Sequence, residues 1–373
     1  MSVTKVTDDN IVNIAASKLT GSMPAIDGSN LTGIVSGPTV SASNPTITTN
    51  ATLGTQWANS TSGEFFILTD ATTNENVWSN VGTGSSSISP SSHAQGSISA
   101  YQSGGASSSN IITKFAFASV STFADVGNLT AGRTMPAGSS SSAHGYTAGG
   151  YSSTSVIDKF TFSSDANATS VGSLNSGVYV CSGGESTTHG YTCGGVSSNV
   201  IQKHSFSVDG NATDVGDLTV TRRTAGTASS STHGFALGGN VSATDNIDRF
   251  SFSSDGNATD FGSLSTNWTP SATNSMDYGY AAGGGFSANI IEKFAFATGG
   301  SVTDVGDLTV NRGNLPAASS STTHGYTCGG YGGSFESSID AHSFSTDGNA
   351  TNVGDLASPR SGSTFSEMTG HQV

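Results

Sequence analysis

His144-Gly145-Tyr146-Thr147-Ala148-Gly149-Gly150 is followed, after a short polar loop, by Ile157-Asp158-Lys159-Phe160-Thr161-Phe162 and then by Val171-Gly172-Ser173-Leu174. This stretch decides the fold because it recurs. The Gly-Gly pair, with an aromatic shortly before it, stands at Gly104-Gly105, Gly149-Gly150, Gly194-Gly195, Gly238-Gly239, Gly283-Gly284 and Gly329-Gly330, at spacings of 45, 45, 44, 45 and 46. The strand-like segment after each pair places aromatic rings at Phe115/Phe117, Phe160/Phe162, His204/Phe206, Phe250/Phe252, Phe294/Phe296 and His342/Phe344. Residues two apart on a strand share a face, so each pair is expected to pack into one layer. Val-Gly-x-Leu, or a close variant, then begins at Val126, Val171, Val215, Phe261, Val305 and Val353. Four of the six units place an arginine four residues past that leucine: Arg133, Arg222, Arg312 and Arg360.

Each unit reads as four short strands, in the second unit near 135–142, 145–149, 156–163 and 168–174. One such sheet cannot bury both of its faces alone, whereas six arranged radially bury them against one another. A period near 45 residues with four strands per unit is propeller spacing. The order of arginine, strand, aromatic-x-x-Gly-Gly, strand and turn resembles the kelch repeat. That resemblance implies an all-β fold, a six-bladed kelch-like β-propeller over residues 95–373. The sequence departs from a kelch unit in its fourth strand, where Val-Gly-x-Leu stands in place of tryptophan. After Arg360 the chain offers a further first-strand copy, with His371 eleven residues on, as His144 is from Arg133. The expectation is that residues 361–369 complete the first blade and remove its open edge.

The repeat does not extend to residues 1–85. Ala16-Ser17-Lys18-Leu19-Thr20-Gly21 is partly repeated within Ile26-Asp27-Gly28-Ser29-Asn30-Leu31-Thr32-Gly33-Ile34. Such sparse apolar punctuation cannot form a monomeric core, so residues 1–45 are expected to order by wrapping with copies of themselves. Residues 46–83 read as a small β-hairpin domain, with a Ser-Gly turn between Gly54 and Ile67 and a third strand at Asn76-Val77-Trp78. Residues 84–94, mostly Gly, Ser and Pro, read as a linker. The Leu-Thr-Gly and Ile-Asp-Gly-Ser-Asn-Leu-Thr-Gly-Ile motifs, followed by Gly54-Thr55-Gln56-Trp57-Ala58-Asn59-Ser60-Thr61-Ser62-Gly63-Glu64, resemble N-terminal segments of bacteriophage tail-fibre and virion-appendage proteins, those of marine cyanobacterial phages above all. The resemblance implies a homotrimeric fibre synthesised in the host cytoplasm, attached through its N-terminus to other virion proteins of the tail or capsid. Its distal end would bind a receptor.

Composition bounds the alternatives. Of 373 residues only 10% are charged, with 12 Lys plus Arg against 26 Asp plus Glu and a net charge of −14. That balance argues against a nucleic-acid partner, which needs clustered cations. No apolar run approaches 18 residues and the N-terminus lacks a signal-peptide core, so no membrane insertion is expected. Cys181, Cys193 and Cys328 lack framework spacing and read as free, buried thiols. No cofactor, metal or catalysis is expected. The only glutamates of the repeat region are Glu185, Glu292, Glu336 and Glu367, too few for a sialidase-like centre. A capsid decoration protein and a glycan depolymerase are the alternatives to an adhesin.

Three recurring features have sharper and plainer readings. Ser-x-Asp-Gly-Asn-Ala-Thr at 207–213, 253–259 and 345–351, with Ala for Gly at 163–169, resembles the Asp-box turn of sialidase-type propellers. It reads as a tight turn rather than a calcium loop. His144, His189, His233 and His324 precede glycine at equivalent places. Separate blades hold them apart, so they read as turn caps rather than metal ligands. Arginines at the crossovers either tie neighbouring blades or bind an anion. Loops after each Gly-Gly are the variable part, and loops carry function on a rigid scaffold. Candidate host-glycan contacts there are Tyr151, Trp268, Phe286, Tyr331 and Phe335, with Arg222, Arg223 and Arg312 as anion partners. The opposite face, made of His-Gly and Asp-Gly-Asn turns, is expected to be inert.

Overall fold

A computed structural model describes residues 37–81 and 95–372, apart from 106–107, 152–153, 224–225, 240–244, 266–268, 285–287, 314–315, 333, 335 and 357–367. The fold is all-β. No α-helix occurs among the described residues, and the strands form six four-stranded sheets and one of five strands, in which Gly300–Ser301 adds in parallel beside Thr259–Ser263. The chain divides into two compact units, Met1–Ser89 and Pro90–Val373. The expected linker 84–94 and the first 36 residues of the expected oligomerisation segment lie outside the described residues.

The first unit holds one sheet in the order Thr39–Ser41, Gln56–Asn59, Phe65–Asp70, Val77–Asn80. The hairpin read from Gly54 to Ile67 is present, with Trp57 opposite Phe66. Its turn is fixed by Asn59, whose Oδ1 accepts from the N–H groups of Thr61 and Ser62 at 2.8 and 3.0 Å, and by Gly63 at φ 75°. Phe66, Leu68 and Trp78 are fully buried, and Trp57 meets Trp78 edge-on at 5.8 Å. The sequence reading did not foresee Thr39–Ser41, which pairs in parallel with Gln56–Asn59.

In the second unit six sheets share one plan. Sheet three shows it: Ser182–Glu185, His189–Cys193, Val200–Ser205 and Thr213–Asp217 lie side by side and antiparallel. Sheets two, four, five and six begin at Ala137, Gly226, Ser271 and Ala317 and repeat this order. A bulge interrupts the last pairing of all six at the same place, as between Ile201 and Gln202. Sheet one takes three strands from Ser99–Gly104, Ile111–Ala116 and Ser119–Asn128. Its fourth is the C-terminal Met368–Gln372, antiparallel to the first of these with Gly370 opposite Gln102. The sequence reading placed this added strand at 361–369 and matched His371 to the turn residue His144. Instead His371 sits inside the strand, its Nδ1 3.1 Å from the Ser139 carbonyl and its Nε2 3.0 Å from the Ser103 hydroxyl.

Innermost strands are stapled sheet to sheet through one equivalent position. Backbone N–H groups of Gln372, Glu185, Ser229 and Asn274 donate to Ser140, Ser229, Asn274 and Ser320 of the following sheet, at 3.2, 3.2, 3.4 and 3.0 Å. Outside this ring of strands the sheets share six apolar clusters. Successive clusters join sheets one and two, two and three, three and four, four and five, and five and six; the last joins six to one. Each centres on the aromatic of a second strand packed against the paired rings of the next sheet, as Tyr146 stacks on Phe206 at 4.9 Å and meets His204 at 5.2 Å. Close approach explains the recurring glycines. A Cβ at Gly145 would collide with the Phe160 ring, and one at Gly172 with the Gly210 carbonyl of the next sheet's turn. The second contact accounts for Val-Gly-x-Leu: its glycine lets the next turn dock on the outer strand.

Candidate functional site

The crossover arginines are structural. Arg222 and Arg312 have no exposed surface, and their guanidinium groups lie 2.8 Å from Asp248 Oδ2 and 2.9 Å from Asp340 Oδ1. Arg133 makes the same pair with Asp158 at 2.7 Å. Each aspartate also accepts from the threonine after Leu, as Asp248 does from Thr219 N–H at 2.8 Å. Each arginine further donates to backbone carbonyls of the sheet it introduces, Arg222 to Asn246 O at 3.0 Å. Arg222 and Arg312 therefore leave the anion-partner set, because both sides of each ion pair are already desolvated and engaged. Arg223 is half-buried and stays in it. Arg360 lies outside the described residues.

The repeats co-vary internally. Where Val178 replaces arginine, the facing residue is Gln202, which accepts from Asn175 N–H at 2.7 Å; where Trp268 replaces it, Glu292 accepts from Ser265 N–H at 3.0 Å. Asp without arginine does not occur at this place. Removing one partner of a buried pair strands a charge and costs about 3–5 kcal/mol, whereas replacing both is far milder. Arg222→Val should therefore lower the urea midpoint sharply. Arg222→Val with Asp248→Gln, copying Val178 and Gln202, should recover most of it. A double variant no more stable than the single one would refute the pairing argument.

The Asp-Gly-Asn turns are clasps between sheets. Lys114, Lys159, Lys203 and Lys293 reach Asp165, Asp209, Asp255 and Asp347 of the following sheet at 3.3, 2.6, 2.5 and 2.6 Å. The asparagine of each turn caps the outer strand before it, as Asn257 Oδ1 accepts from Asp217 N–H at 3.0 Å. These ion pairs are part-exposed, worth about 0–1 kcal/mol each. The turns before the repeated histidines are capped by serine: Ser186 Oγ accepts from His189 N–H at 3.0 Å, while among the described residues the imidazole Nδ1 bonds only the hydroxyl of the preceding Thr188, at 2.8 Å. Burial holds His144, His189 and His233 below the ordinary histidine range. Among the described residues no group of three or more His, Cys, Asp or Glu could hold a metal ion, and Cys181, Cys193 and Cys328 are buried.

On the loop face Tyr151 is 55% exposed; its N–H donates to Thr134 O at 2.7 Å. Its ring meets Tyr179 edge-on at 5.4 Å. Tyr179 was not picked out from sequence, although it is an aromatic outside the repeat pattern, beside the missing arginine at Val178. The next residue, Val180, has φ 54°, a costly conformation for a β-branched side chain. Tyr331 belongs to the junction of sheets five and six. It exchanges backbone hydrogen bonds of 2.6 and 3.0 Å with Gly313. Trp268, Phe286 and Phe335 lie outside the described residues. The described candidates Tyr151, Arg223 and Tyr331 thus sit at three separate junctions.

No protein-family model matches the chain. No curated protein matches it either.

Proposed function

We propose that the chain is a virion adhesin: a six-bladed, kelch-like β-propeller that presents a glycan-binding loop face. It is carried on an N-terminal segment that trimerises and attaches to the particle. What supports the propeller reading is the succession of six sheets, each packed on the next and the sixth on the first through the C-terminal strand. The observation that carries the binding reading is the pair of exposed Tyr151 and half-buried Tyr179, on connections that differ from sheet to sheet, above a scaffold whose ties recur. Rings held edge-on at a rigid junction offer a saccharide a stacking face and a hydroxyl rim. A single such contact would be weak, near millimolar, or about 4 kcal/mol. Three copies on one stalk would raise avidity by roughly 10²–10⁴. The protein has no catalytic role in this reading.

The double variant Tyr151→Ala, Tyr331→Ala should reduce adsorption to host cells by about tenfold or more while leaving Tm nearly unchanged, since an exposed and a half-exposed ring contribute little to the core. Unchanged adsorption would refute the loop face. New reducing ends from host polysaccharide would establish a depolymerase instead. Antibody labelling of particles separates a tail from a capsid position.

A further inference from the structure

We infer that a groove between sheets six and one is a separate ligand site, and that it takes a neutral saccharide. At four junctions of the ring a lysine stands opposite the second-strand tyrosine: Lys114 opposite Tyr101, Lys159 opposite Tyr146, Lys203 opposite Tyr191 and Lys293 opposite Tyr280. It closes that junction by pairing with the next sheet's Asp-Gly-Asn or Asp-Ala-Asn turn. At the junction of sheets four and five, Arg249 opposite Phe235 fills the place and lies over the Phe261 ring at 4.8 Å. The sixth junction has neither device. Ala341 stands opposite Tyr326, and the facing turn of sheet one, Phe117-Ala118-Ser119, carries no aspartate. Both halves of the clasp are gone, and a groove of about 430 Å³ is left.

The lining has the chemistry of a sugar site. Phe117 and Tyr326 stack at 5.1 Å, with 29° between their planes, and form an aromatic wall. His324, Ser343, Asn349 and Thr351 supply a rim of imidazole, hydroxyl and amide groups. The Nδ1 of His324 is held by the Thr323 hydroxyl at 2.9 Å, which sets the ring's orientation. No Asp, Glu, Lys or Arg lines the groove. A uronate or sialate would find no cation there, on a chain of net charge −14, and an amine would find no carboxylate. What fits is a neutral ring with an apolar face and several hydroxyls, in a volume within the usual range for small-ligand sites. The groove lies among the His-Gly and Asp-Gly-Asn turns, so that face is not uniform from sheet to sheet, contrary to the sequence expectation. The inference does not depend on the loop-face reading.

The test uses the full chain, titrated with methyl glycosides of glucose, galactose and N-acetylglucosamine, with glucuronate and a nucleoside alongside. Saturation-transfer and chemical-shift NMR report binding. At least one neutral glycoside should bind in the millimolar range, with shifts at Phe117 and His324, and glucuronate and the nucleoside should not. Ala341→Lys restores the side chain found at four other junctions and should weaken binding by about tenfold or more. Val353→Arg, at an exposed outer-strand position on the same groove, should do the same and decides the matter if the first variant does not fold. Tyr151→Ala and Tyr331→Ala should leave this binding unchanged, so the two sites fail separately. Absence of binding by every neutral glycoside, preference for glucuronate or the nucleoside, or binding that survives in the folded variants would overturn the inference.

Discussion

Deletion of residues 368–373 should abolish cooperative unfolding of the Pro90–Val373 unit rather than trim a tail. Met368–Gln372 supplies the whole inner strand of sheet one, pairing with Ser99–Gly104 over five residues. It also holds sheets that are far apart in sequence. His371 bonds to Ser139 and Ser103, Gln372 N–H donates to Ser140, and Gln372 Nε2 donates to Glu185 Oε1 at 3.0 Å. Without the strand, Ser99–Gly104 becomes an open edge, and open edges recruit other chains. Sheets six and one also lose a shared partner, since Ser319 Oγ reaches the His371 carbonyl. The loss is comparable with a domain's entire stability, about 5–15 kcal/mol. Differential scanning calorimetry should show no sharp transition, and light scattering should show association. A deleted chain that melts within a few degrees of the intact protein would refute the latch.

Much of this arrangement is legible in the sequence because repetition multiplies a weak signal six times. A single Tyr-Thr-Cys-Gly-Gly or Val-Gly-Asp-Leu means little, but fixed spacing turns each into a position in a sheet, and sheet two begins and ends close to where the spacing puts it. Repetition also misleads where an element occurs once. His371 was aligned to a turn by counting from Arg360, because counting cannot see that the chain from Arg360 to the latch strand is longer than its counterpart after Arg133. Thr39–Ser41 is three residues long and pairs in parallel with a strand well beyond its own turn, which leaves no alternation to read.

The candidate residues divide along the same line. Arg222 and Arg312 recur with the repeat, and a recurring charged residue at a crossover had two readings that composition could not separate. Their partners Asp248 and Asp340 sit inside Ile-Asp segments, where nothing local marks the aspartate as buried. A signal was nonetheless present: arginine and aspartate appear together at three crossovers and disappear together at Val178/Gln202. The same comparison links Lys to the Asp-Gly-Asn turn and exposes Ala341 as the exception. Departures from a repeat, rather than its consensus, therefore mark the sites.

The second large effect is on acid stability. His204, His342 and His371 are fully buried, and burial pushes each down to about 4 from an ordinary 6.5. Neither ring nitrogen of His204 has a hydrogen-bond partner among the described residues, and His342 has one, to Thr273 at 3.2 Å. A base held below its unfolded value is protonated first in the unfolded chain. Its contribution is intact above pH 6.5 and is lost as the pH falls towards 4, at about 3 kcal/mol for each ring. Glu185 runs the other way. Burial raises it to about 8 against an unfolded 4.5, so its contribution is fully present below 4.5 and is lost as the pH rises through 8. Between pH 6.5 and 4.5 it offsets about 3 kcal/mol of the histidine loss. The balance is a net fall on the order of 6–7 kcal/mol between pH 6.5 and 4, enough to unfold a domain of ordinary stability. Urea midpoints measured from pH 8 to pH 4 should pass through a maximum near pH 7 and fall steeply on the acid side. His204→Phe with His342→Phe, copying Phe115, Phe160, Phe250 and Phe294 at the same place, should raise the midpoint at pH 6 and remove nearly all of the net acid fall, because the loss from His371 and the gain from Glu185 then almost cancel. A double variant whose acid limb follows the parent's would show that these two rings do not set it.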